Sequence, residues 1–351
     1  MQVAVIGKGI AGLLLGDQLL ARGCAVTFFY REESSASAAA LGVFVSKGLF
    51  LAQDPLFSHK LGAHLAFGTL ISQLSERMGE KIPRFQGAQE FFDSPAAYRG
   101  LRQRIYRNQF TGALDVEVQR QSAGAGAFYY PQDYWVDAGF SLGVMESDLR
   151  RRGAVFIPRE VVRVGSAKEG LWVQTAVGRD LFSEVVLAAG EGASALLRES
   201  GIAGFPVQRR PGCTVRYQLE GPGEAPVFLL KKGRLSLVSH GGIFYMGPFD
   251  QEPSPEEEAV LFQYAQKCCP ALLPFSLTGR GCSHGTRVRT PHGAPYVGPV
   301  SLSFGRRLWV SFGYDKSGFV LAHEAARHIV DRLCGQGGDD GQNRHLQVDW
   351  V

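Results

Sequence analysis

QVAVIGKGIAGLLLGDQLLARGCAVTFFY, residues 2–30, is the stretch from which the fold is read. Gln2 to Ile6 is a short β-branched run of the kind buried on both faces of a parallel sheet. Gly7, Gly9 and Gly12 follow in the pattern G-x-G-x-x-G, Ile10 to Arg22 continue as an apolar helix, and Gly23 stands where helices commonly stop. Ala25 to Tyr30 then completes a strand, helix, strand unit. The glycines have a chemical reason. One permits the tight turn, one lets the backbone approach a pyrophosphate, and one lets helix and strand pack closely. Free N–H groups at the helix start then face the phosphates. Gly7, Gly9, Ile10, Ala11 and Gly12 are therefore candidate contacts to a dinucleotide, in preference to a plain structural turn.

The end of the second strand departs from this pattern. An Asp or Glu there binds ribose hydroxyls, but the position holds Tyr30, followed by Arg31, Glu32 and Glu33. Three readings stay open: Glu32 reaches the ribose after a small shift, Tyr30 presents its hydroxyl instead, or nucleotide affinity is weakened.

Composition bounds the rest. With 351 residues, 45% of them hydrophobic and 20% charged, the chain has room for two packed lobes and is neither a disulfide-stapled miniprotein nor a disordered one. The 37 basic and 33 acidic residues leave +4, which neither demands nor excludes a polyanionic partner. Six cysteines lie scattered without a C-x-x-C, so the spacing suggests neither a zinc knuckle nor a disulfide framework and fits a reducing compartment. No apolar run approaches the roughly 18 residues of a membrane span. The first apolar stretch carries no basic leader, and a cytoplasmic location is expected.

Val185 to Gly190 (VVLAAG) is another buried-strand pattern, followed by Glu191 to Ser194 and the helical stretch ALLRESG. This block resembles the late strand of flavoproteins that hold FAD in an N-terminal G-x-G-x-x-G fold. GTRVRTPHGAPYVG (285–298) and FGYDKSGFVL (312–321) resemble the closing signatures of the D-amino-acid oxidase superfamily, the group with glycine and sarcosine oxidases. Residues 125–157 and PVQRRPGCTV (206–215) further resemble the FAD domain of the bifunctional enzyme that processes the carboxymethylaminomethyl group on the wobble uridine of tRNA. On that likeness the chain is a stand-alone oxidase without the methyltransferase partner.

The resemblance implies an α/β architecture in which a Rossmann-like FAD lobe, residues 1–84, 137–203 and 286–351, is interleaved with an antiparallel-sheet substrate lobe, residues 85–136 and 204–285. It implies noncovalent FAD, because Gly285 falls where sarcosine-oxidase-like relatives attach flavin through a cysteine, although Cys282 is close by. Arg287 falls where such enzymes grip a substrate carboxylate, with Arg289 as understudy, and a guanidinium fork suits that bidentate contact. Lys316 falls near a basic residue at the substrate, with a solvated loop lysine as the alternative, and Tyr245 in the strand FYMGPF is a candidate cap over the ring, although a sheet aromatic packed in the core is the plainer reading. Tyr30, Arg31, Ser37, Val162, Ala189, Gly190, Gly313, Ser317, Gly318 and Phe319 complete the implied cofactor contacts. The last helix, from Phe319, points its amino end at the flavin pyrimidine. The implied reaction is hydride removal from a carbon beside an amine of an amino acid or N-substituted glycine.

Two alternatives stand beside it. One places the glycine-like group on tRNA, with Arg99, Arg102, Arg104 and Arg107 interleaved with Tyr98, Tyr106 and Phe110 along the backbone; a solvated helix face is the plainer reading. The other is a flavin-fold binding protein without turnover. His240, His284, His292, His323 and His328 show no metal-ligand spacing and read as structural or surface groups, so no metal is expected. Ser254, Pro255 and Glu257 predict a capping box before the helix EEEAVLFQYAQK.

Overall fold

The strand Gln2–Ile6 lies inside a six-stranded sheet whose order is Tyr296–Ser301, Arg307–Phe312, Glu184–Leu187, Gln2–Ile6, Ala25–Phe29 and Val155–Ile157. All neighbours but the first pair are parallel. In this computed structural model the residues described are 1–33, 35–45, 57–92, 94–107, 117–120 and 126–335.

Val3, Ala4 and Val5 are fully buried, as a strand covered on both faces requires. The helix Ile10–Ala21 buries Leu13, Leu14, Leu15 and Leu19 against the sheet. Each such leucine contributes about 1.5–3 kcal/mol when fully buried. Gly16 makes that packing close: a Cβ there would stand 2.3 Å from the Phe28 ring. Gly23, at φ +73°, ends the helix region as the sequence predicts.

A larger sheet runs Ser276–Arg289, Gln208–Glu220, Ile243–Phe249, Leu235–His240, Phe228–Lys232, Arg84–Phe91, Gly126–Val136 and Val43–Phe44, with Glu117–Arg120 paired to Gly126–Val136. Its pairings are antiparallel except that Phe228–Lys232 and Arg84–Phe91 run parallel. The alternating stretches after residue 204 form its strands. Val43–Phe44 joins this sheet although it lies within residues 1–84, because Val43 and Phe44 pair with Trp135 and Tyr134. A small antiparallel sheet, Val161–Ser166, Leu171–Thr175 and Gly178–Phe182, packs beside the parallel one.

The capping box forms. Glu257 N–H donates to Ser254 Oγ at 3.3 Å and Ser254 N–H to Glu257 Oε2 at 2.8 Å, starting the helix Pro255–Cys268. This helix packs on the larger sheet through Leu261, Tyr264 and Ala265. The final helix, Gly318–Leu333, packs on Ile10–Ala21 and on Phe57–Met78. Among the described residues no helix is long and apolar enough to cross a membrane.

Candidate active site

One cavity of about 1110 Å³ runs from the glycine turn to the larger sheet. Pockets for drug-sized ligands measure about 300–1,000 Å³, so this space suits a dinucleotide cofactor with a small substrate beyond it.

The turn forms one end, where Gly7, Gly9, Ile10 and Ala11 line the cavity. Gly7 has φ +111°, and a Cβ on it would stand 2.4 Å from Ala188 O. Gly12 does not line the space; its absent Cβ leaves room for Gly7 O, which it would meet at 2.0 Å. Glycine at 7 and 12 thus lets turn, strand and helix pack backbone to backbone, and the turn presents Gly7 and Gly9 to the cavity. Ser37 also belongs here. Its Oγ accepts from Ile10 N–H at 3.1 Å, at the first residue of the helix.

Tyr30 and Arg31 line the cavity next to Glu32 and Glu33. Lys8, from inside the glycine motif, lies 4.1 Å over the Tyr30 ring and pairs with Glu146 at 3.0 Å. Burial pushes the Glu146 carboxyl up, but hydrogen bonds from Arg150 and Lys8 outweigh it and leave the group below its usual range. Among the described residues Arg31 makes long pairs, 3.7 Å to Glu33 and 3.6 Å to Glu160. Tyr30 therefore packs under a cation at the position where an acid was expected. Val162, Ala189 and Gly190 line the same end.

Gly313, Lys316, Gly318 and Phe319 also line the cavity with Arg287, and a Cβ on Gly318 would stand 3.6 Å from the Ile10 side chain, so the start of the final helix lies beside the glycine turn. Ser317 lies behind them at the N-cap of the final helix, and it makes no side-chain cap. The first N–H groups of that helix have no intrahelical acceptor and turn positive potential toward the cavity. Asp315, at φ 49°, holds a buried carboxylate oxygen with no partner among the described residues, an acceptor that a donor on a bound group would satisfy. Tyr314 is hydrogen-bonded with Ser311 at 2.7 Å, and burial pushes its phenol up, so it stays protonated.

Arg287 is only 15% exposed and donates to Asp250 Oδ1 at 3.2 Å, while Arg234 holds Asp250 Oδ2 at 2.7 Å. Gly285 lines the cavity and Cys282 does not. Tyr245 is not brought to this group. Its hydroxyl donates to Asp137 Oδ2 at 3.2 Å and its ring lies 5.4 Å from Trp135, on a sheet face that packs into core. Lys231 was missed by the sequence reading. It is 4% exposed, lines the cavity, and stands in register with Glu90, whose carboxylate accepts from Tyr130. Arg99 and Arg102 lie on the helix Pro95–Arg107, away from this space, while the side chains of Arg104, Tyr106 and Arg107, and Phe110 altogether, lie outside the described residues.

The sequence profile of the family described as FAD dependent oxidoreductase matches residues 2–332. The chain belongs to that family. A glycine oxidase of Pseudomonas aeruginosa is 29% identical over 170 residues, 47% of this chain and 45% of that protein, so this match spans less than half of the relative. A glycine oxidase of Geobacillus kaustophilus is 24% identical across 94% of this chain and 92% of its own. The crystal structure of a glycine oxidase from Bacillus cereus superimposes with a TM-score of 0.79 at 22% identity, covering 96% of each chain, a likeness of fold. As an FAD-dependent oxidoreductase, the protein has a use for both features of the cavity wall: the glycine turn at the start of Ile10–Ala21 fits a diphosphate, and the final helix, without a side-chain cap, fits a ring on which negative charge develops.

Proposed function

We propose that this FAD-dependent oxidoreductase oxidises the C–N bond of an amino acid or N-substituted glycine to an imine, which water hydrolyses. The observation that carries the reading is a single cavity lined both by the glycine turn and by the half-buried guanidinium of Arg287. When bound, noncovalent FAD supplies the two-electron acceptor for the hydride leaving the carbon beside the nitrogen.

The protein's own part is positioning. Arg287, itself only 15% exposed, offers planar, paired donors to a carboxylate. Its partner Asp250 is well exposed and shared with Arg234, so a substrate carboxylate displaces a weak contact. Lys316 and the amino end of Gly318–Leu333 add positive potential to the same wall. The fixed carboxylate leaves one carbon to face the cofactor, which is an orientation effect. The glycine oxidases among the relatives support this substrate class.

The test is anaerobic mixing of the yellow holoenzyme with glycine, sarcosine, D-alanine, and tRNA carrying carboxymethylaminomethyl-uridine, followed by visible absorbance. Bleaching by at least one of the three small amines is expected. Colour that persists with all three overturns the reading, and bleaching by the modified tRNA alone transfers it to the RNA substrate.

A further inference from the structure

We propose that Cys213, Cys282 and His284 form a binding site for a thiolate-preferring divalent cation, zinc, in the sheet wall that carries Arg287, with Cys213 itself lining the cavity. Sequence spacing conceals the group, because its members come from two strands far apart in the chain. The topology assembles them. Cys282 and His284 stand two residues apart on Ser276–Arg289 and so project from one face. The antiparallel register sets Cys213, on Gln208–Glu220, directly opposite His284. The three ligand atoms all lie within 4.8 Å of one another. Zinc–sulfur and zinc–nitrogen bonds of about 2.3 and 2.0 Å put tetrahedral ligand atoms about 3.3–3.8 Å apart. A small inward rotation of the side chains closes the shell.

The donor chemistry selects the ion. Two thiolates and an imidazole favour zinc over magnesium or calcium, which take oxygen ligands. On binding, each thiol releases its proton to solvent, and the ion takes two sulfur lone pairs and one nitrogen lone pair. The supports are stiff, since the two strands pair from Gln208↔Arg289 to Glu220↔Ser276. Burial is graded along the site. Cys213 is 3% exposed, whereas the His284 side chain is 61% exposed, which gives the ion an entry path. Glu252 Oε2 lies 3.4 Å from His284 Nε2, while its Oε1 pairs with Arg280 at 2.7 Å. Alternation along the strand puts Gly285 and Arg287 on the face opposite Cys282 and His284, neither of which lines the cavity, whereas Cys213 does. The ion is thus a staple across the two longest strands of the larger sheet, and the proposal does not depend on which amine is oxidised.

The experiment uses untagged holoenzyme, reduced with a phosphine, stripped with a chelator, and given one equivalent of zinc sulfate before gel filtration and elemental analysis. About one zinc per chain is expected to remain, and less than a tenth of that in Cys213→Ser and Cys282→Ser. His284→Ala, a change at an exposed side chain, is expected to weaken zinc by about tenfold or more in competition with a chromophoric chelator. Bound flavin absorbance reports that each variant is folded, and Arg287→Ala retains zinc. Wild-type protein that keeps no zinc after reduction, including one whose two thiols return to a disulfide in preference, overturns the proposal. Retention in either serine variant equal to wild type overturns it as well.

Discussion

Arg287 has a partner that a substrate would replace. Its guanidinium is 15% exposed and bonded at 3.2 Å to an aspartate that also serves Arg234. A hydrogen bond to a charged group contributes about 1.5–3 kcal/mol, so Arg287→Ala is expected to raise KM for a carboxylate substrate by about tenfold to a hundredfold with bound flavin unchanged. Asp250→Asn removes the competing charge and is expected to lower KM. Steady-state kinetics with flavin-to-protein absorbance ratios check both, and unchanged KM in Arg287→Ala removes the residue from the site. Arg287 could be read from its motif by resemblance. Lys231 could not, because its burial beside Glu90 and Tyr130 follows from the parallel pairing of Phe228–Lys232 with Arg84–Phe91, which no local pattern announces. The displacement of Tyr245 has the same origin. Alternation shows that it faces one side of a strand, but which side meets the cavity is set by the neighbours Trp135 and Asp137.

At the scale of elements, the strand, turn and helix of residues 2–30 were legible because each step is local: burial of Val3 to Val5, a turn at φ +111°, an apolar helix, and a glycine stop. Ser254 and Glu257 were legible for the same reason, three residues apart with reciprocal hydrogen bonds. Gly12 tests the turn. An added methyl would meet Gly7 O at 2.0 Å, a backbone atom that cannot rotate away. Gly12→Ala is expected to force strand and helix apart and reduce the flavin-to-protein ratio at least tenfold, whereas a variant that keeps full flavin would show that close packing there is dispensable. The ribose end was not legible. Its acid is replaced by Tyr30, and beside the neighbouring Arg31, Glu32 and Glu33 the charges that line this end include Lys8, Glu146 and Glu160, brought in by tertiary packing and not by sequence order.

Across the whole molecule, the cavity exists because one chain passes repeatedly between two sheets, and the ties between its distant segments hold the cradle in place. Lys8 and Glu146 form one such tie, joining the glycine turn to the helix Ala138–Arg151 at 3.0 Å, with Arg150 on the other carboxylate oxygen at 2.7 Å. Burial raises the Glu146 carboxyl, the two cationic partners outweigh that effect, and the folded group titrates below its usual 4.5. A carboxylate depressed on folding stabilises the folded state above its unfolded value, and that stabilisation is lost as pH falls through the folded one. Flavin retention is therefore expected to be insensitive to Glu146 near neutrality in its pH slope and to depend on it in acid. Glu146→Gln has no proton to take up, so its flavin release, measured by gel filtration after acid incubation and neutralisation, is expected to vary less steeply than wild type below pH 4.5. Parallel release curves for the two proteins would show that the cradle is held without this pair, and the acid sensitivity would then belong to carboxylates elsewhere in the fold.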